Sequence, residues 1–227
     1  MTVMDHPARP ATPDSVAHVE VETVDAHGRL PVEGGSYRQA LDDDHAHAIL
    51  AEREFLTALL WAPPTVTTAV IHAIIGTPSE RDAHQPPGDV LPDPAALLLD
   101  PTHQAVLAAI TAMVDEGQPL TPALVLARLD AAVTSRRHRH LHRALLLEVT
   151  APAGYSHPHH GAVLPHLATT LVDGWYRRGY ARLAEGMRHA AATLATHELA
   201  AWRDDLITMS HTADTRMLAI TDRLARI

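Results

Sequence analysis

From about residue 163 to residue 195 a helical period persists without a strong stop. Leu164, Leu167, Leu171, Trp175, Leu183, Met187, Ala190 and Leu194 return at steps of three and four, and only Gly179 weakens the run. At 1.5 Å per residue this is a rod of roughly 50 Å. A rod with one apolar stripe needs a second surface to cover it. The sequence supplies one: a helix over about 197–209 returns along the first, with Leu199, Trp202, Leu206 and Ile207 facing it. The two form a helical hairpin over 155–211. Residues 212–227 follow as a separate amphipathic helix through Met217, Leu218, Ile220 and Leu224.

What precedes the hairpin reads as a head of shorter helices, over 44–154. The apolar fraction is 46% but aromatics are only 4%, so Ala, Leu and Val do most of the packing. That mixture favours closely packed helices over a β-sandwich, and the fold class is all-α. A first helix starts near His45, where Asp42, Asp43 and Asp44 sit at the positive end of the dipole. Its inward positions are Leu50, Phe55, Leu56, Leu59 and Leu60, while Glu52, Arg53 and Glu54 include the solvated ones. A second helix, about 65–75, turns Val66, Val70, Ile71 and Ile74 inward. Residues 76–93, rich in Pro and Gly, form a mobile loop.

One device then recurs, a capping residue followed by proline at the first helical position: Asp93-Pro94, Asp100-Pro101 and Thr121-Pro122. The helix from Pro101 carries Val106, Leu107, Ile110, Met113 and Val114 and stops at Gly117. The helix from Pro122 places Val125, Leu126 and Leu129 inside, and 140–149 adds Leu141, Leu145, Leu146 and Leu147. Residues 1–43 mix Pro, Gly, His and acidic side chains without a sustained period, and read as a disordered acidic tail.

Several functions are excluded. All 18 basic residues are arginine, so the lysine that a P-loop needs is missing. No nucleophile elbow or H-E-x-x-H motif is present, and the chain reads as non-enzymatic with no cofactor. It has no cysteine, which rules out disulfides and thiolate zinc sites. No apolar run reaches membrane-spanning length and the start lacks a signal-peptide pattern, so a cytoplasmic protein without membrane contact is expected. The formal charge of -9 argues against nucleic-acid binding over the whole surface.

Three clusters remain. Arg136, Arg137, Arg139 and Arg143, interspersed with histidines, are candidates for phosphate contact, against a reading as a solvated turn. His157, His159 and His160 have the composition of a metal site but no cysteine or ordered carboxylate, and read as a polar linker, so no metal is expected. Trp175, Tyr176 and Tyr180 beside Arg177, Arg178 and Arg182 suit either stacking on single-stranded bases or a helical interface, and the interface reading is preferred.

The order of elements resembles the amino-terminal domain of DnaB-type replicative DNA helicases. The resemblance rests on Ala51-Glu52-Arg53-Glu54-Phe55-Leu56-Thr57-Ala58-Leu59-Leu60, on His103-Gln104-Ala105-Val106-Leu107-Ala108-Ala109-Ile110 running into Glu116-Gly117-Gln118-Pro119-Leu120-Thr121, and on Trp175-Tyr176-Arg177-Arg178. It implies a stand-alone domain without the ATPase motor, a helical head followed by a hairpin, and homodimerisation through the hairpin. Leu171, Trp175, Tyr176, Leu183, Met187, Trp202 and Leu206 are the expected interface. It also implies a replication partner: the replicative helicase, primase or a loader. A small DNA-binding regulator using the 136–143 arginines is the alternative.

Overall fold

Proline and capping chemistry set the boundaries of the helices. A computed structural model describes residues 34–82, 97–151 and 160–227. Of the described residues 86% are helical and none lies in a strand, so the fold is all-α. The chain divides into two units, Met1–Asp42 and Asp43–Ile227, and the core lies in the second.

Helix α1 (Gly34–Trp61) begins well before His45 and carries the three aspartates within it instead of at its start. Arg38, Gln39, Ala40 and Leu41 are good helix formers, and no proline separates them from His45. Helix α1 thus reaches back to Gly34, and residues 1–33 lie outside the described residues. Pro63 and Pro64 stop α1, and α2 (Pro64–Ile75) starts with proline where no amide hydrogen bond is lost. The buried Thr67 hydroxyl donates to the Leu59 carbonyl at 3.1 Å and so ties the corner between the two.

Past Gly76, at φ 89°, a one-turn helix α3 (Pro78–Asp82) occupies the start of the expected loop. Thr77 and Glu80 make a reciprocal cap: the Thr77 amide donates to Glu80 Oε2 at 2.8 Å and the Glu80 amide to Thr77 Oγ1 at 3.3 Å. The rest of that loop and Asp93-Pro94 lie outside the described residues. Helices α4 (Pro101–Asp115) and α5 (Pro122–Ala132) start as expected, on side-chain caps from Asp100 and Thr121. Burial pushes the Asp100 carboxyl up, but hydrogen bonds from the Thr102 and His103 amides outweigh it and hold it low. Gly117, at φ 63°, closes α4 in the left-handed conformation.

Helix α6 (Arg136–Thr150) buries His142, Leu145, Leu146 and Val149, and leaves Leu141 and Leu147 exposed. These two leucines lie off the i, i+3, i+4, i+7 stripe that starts at 142. Helices α4, α5 and α6 pack on one another, and α2 joins them to the hairpin helices α7 (His160–Thr193) and α8 (Thr196–Leu224).

The hairpin differs from expectation at its end. The stretches 197–209 and 212–224 form one continuous helix, because Ser210, His211 and Thr212 are poor helix formers but no glycine or proline separates them. Both long helices are rooted in the head: Leu164, Ala168 and Val172 of α7 and Ile220 and Leu224 of α8 belong to the same core as Phe55, Ile71 and Val106. Ile207 and Leu218, expected on apolar stripes, point to solvent. At the turn the Ala195 amide donates to Glu198 Oε2 at 2.9 Å.

Candidate interaction surfaces

The hairpin does not close completely between its helices. Trp175, Gly179 and Leu183 of α7 and Trp202, Leu206 and Met209 of α8 line a largely apolar groove of about 670 Å³, with Arg182, Asp205 and Arg216 also contributing. Five expected interface residues line it: Trp175, Tyr176, Leu183, Trp202 and Leu206. Met187 is half exposed nearby in sequence, as are Ile207 and Met209 on α8. Leu171 is different. It is buried in the chain's own core, because the first turns of α7 serve the head, and it is not offered to a second copy.

Gly179 lines the groove, and a Cβ there would meet nothing within 4 Å. Two turns further on, a Cβ at Gly186 would sit 3.6 Å from the Trp202 ring, in ordinary van der Waals contact.

One wall is polar and firmly built. Tyr176 and Tyr180, with ring centroids 4.9 Å apart, both donate hydrogen bonds to Asp214 Oδ1, that from Tyr180 at 2.7 Å. Since the Tyr180 proton is committed to Asp214, Ser210 is the donor in their 2.9 Å contact. The hydrogen bond from Tyr176, then that from Tyr180, lowers the Asp214 carboxyl, and the same bond raises the Tyr176 phenol. The tyrosines therefore crosslink α7 to α8.

Among the described residues the most buried charged side chain is Glu52, which falls in the stretch expected to include the solvated positions of α1. Glu52 is 1% exposed and His103 is 2% exposed, and they meet at 2.7 Å between Oε2 and Nδ1. Glu52 also accepts from the amides of Leu99 and Asp100, Gln104 donates to the Leu98 carbonyl at 2.8 Å, and Arg178 of α7 donates to the Leu97 carbonyl at 2.6 Å. Side chains from α1, α4 and α7 thus satisfy four successive backbone groups of the segment entering α4. A signal was present: Glu52 precedes Phe55 and Leu56 by three and four residues, as His103 precedes Val106 and Leu107, so both sit on core stripes.

Arg136, Arg137, Arg139 and Arg143 lie in the first turns of α6, all exposed. Arg143 reaches Asp130 at 3.5 Å and Arg139 reaches the Thr134 carbonyl at 3.3 Å. Behind them His142 is buried with Nδ1 lacking a hydrogen-bond partner, and burial, then the His138 charge, lowers it despite Asp130. Of the three histidines with metal-site composition, His160 opens α7, while His157 and His159 lie outside the described residues. Among the described residues no three His, Asp or Glu side chains gather around one point as metal ligands, and no helix is long and apolar enough to cross a membrane.

No family model matches this chain, and no match was found among the curated proteins or the solved structures.

Proposed function

We propose that this chain is a non-catalytic pairing and docking module, which forms a homodimer through the hairpin groove. In keeping with its resemblance to the helicase amino-terminal domain, the pair serves as an adaptor or modulator in cytoplasmic DNA replication, with the replicative helicase, primase or a loader as partner. The observation that carries the reading is the unfilled groove between Trp175 and Leu183 on one helix and Trp202 and Leu206 on the other. Large aromatic and aliphatic side chains gathered at one surface are the usual anchors of protein interfaces. The head also favours binding over turnover: its most elaborate polar cluster, Glu52 with His103, is closed to solvent and out of reach of a substrate.

Light scattering across a range of concentrations tests the pairing. The full chain is expected to double in mass and Trp202→Glu to stay monomeric; a wild-type monomer throughout would sink the reading. Recovery of helicase, primase or loader on immobilised chain tests the partner separately.

A further inference from the structure

The proposed pairing leaves the start of α6 without a role, and this is where the charge of the molecule is least balanced. Arg136, Arg139, His140 and Arg143 recur at i, i+3, i+4 and i+7, which places them in one stripe about 10 Å long. Arg137 flanks the stripe, and all five side chains are exposed. The opposite stripe, His142, Leu145, Leu146 and Val149, is buried, so packing fixes which way the arginines face.

Most of the head's other arginines hold a carboxylate: Arg53 that of Glu148, Arg81 that of Asp115, Arg128 that of Glu116. In α6, Arg143 makes a single long contact with Asp130, Arg139 caps a carbonyl, and Arg136 and Arg137 have no hydrogen-bond or ion-pair partner among the described residues. Like charges set at i, i+3 and i+7 along one stripe repel one another. The arrangement also opposes the helix dipole: the first turn of α6 has no acidic residue and Ser135 makes no side-chain cap. An anion bound there would offset both costs.

We infer that the exposed face of α6 binds the phosphate backbone of duplex DNA, independently of base sequence, through Arg136, Arg137, Arg139 and Arg143. Guanidinium forks suit phosphate oxygens. Helix α6 carries no Asn or Gln to read adenine and no Phe, Tyr or Trp to stack on an unpaired base, which favours backbone contact and disfavours single strands. The stripe is independent of the hairpin groove, so failure of either leaves the other standing.

Fluorescence anisotropy of the full chain with a labelled duplex of about 20 base pairs, titrated with salt, tests this. Three or four phosphate contacts give a slope of about -3 in the logarithm of the association constant against that of salt concentration. The combined change R136Q, R137Q, R139Q and R143Q should weaken binding at least about tenfold and flatten the slope. A charge-matched control, R177Q with R188Q, R203Q and R226Q, should bind like the parent, and circular dichroism checks that both variants fold. No binding at low salt, equal loss in both variants, or tighter binding to a single strand of equal length would overturn the inference. Displacement of the duplex by polyglutamate at equal charge would also overturn it, in favour of an acidic protein segment.

Discussion

Glu52 and His103, from two different helices and both withdrawn from solvent, meet at 2.7 Å over the backbone of the segment that enters α4. Removing Glu52 leaves His103 Nδ1 buried without its partner and also orphans the amides of Leu99 and Asp100. Leaving buried hydrogen-bonding groups unsatisfied in this way costs about 1–3 kcal/mol for each group. Glu52→Ala is therefore expected to lower the urea midpoint sharply. A loss below about 1 kcal/mol would show the cluster to be dispensable.

Arg178 carries the latch from the head to the hairpin through the Leu97 carbonyl. Arg178→Gln should cost about 1–3 kcal/mol, and hydrogen exchange should quicken at the amides of residues 97–100. Unchanged exchange there would count against a latch.

The pH response follows from His142. Burial keeps its folded value below that of a free histidine, so the unfolded chain binds more protons. Its contribution is therefore full above about pH 6.5, the unfolded value, and declines as pH falls through the lower folded value. His142→Leu is expected to flatten the dependence of the denaturation midpoint on pH across this window. A slope identical to that of the parent would refute the assignment.

In the proposed pairing a single helix carries both core, at Leu171, and interface, at Gly179. Leu171→Ala should cost about 2–5 kcal/mol with no effect on self-association. Gly179→Leu, which fills open space in the groove, is expected to weaken self-association while leaving the melting temperature within a few degrees. The reverse pattern would reassign both positions.

Gly117→Ala isolates a backbone effect. A Cβ there meets nothing within 4 Å, so the cost comes from the left-handed φ of 63° alone and should be about 1–2 kcal/mol. A neutral result in chemical denaturation would mean that the turn relaxes.

The boundaries of α2, α4 and α5 were legible because proline, a capping side chain and glycine act locally. The core stripes were legible wherever the residues were apolar. They were not legible where a polar residue occupies a stripe position: the sequence groups Glu52 with the solvated residues and leaves His103 and His142 out of the stripes. Leu50, Leu147, Ile207 and Leu218 made the opposite error, apolar residues off the stripe. The Thr77 and Glu80 cap was also available in the sequence, as T-x-x-E, within a stretch read as loop on its prolines. The groove was not legible, because its width depends on how two helices diverge, and no local pattern encodes that.

Ile220 and Leu224 reach the core from the last turns of α8. During vectorial synthesis the head therefore cannot finish packing when its own helices have emerged; it waits for the hairpin to be made, turned and brought back. Until then the apolar face of α2 remains partly uncovered, open to any chaperone that reads such surfaces. A nascent chain ending between the hairpin turn and Met217 should be markedly more sensitive to protease than one extending past Leu224.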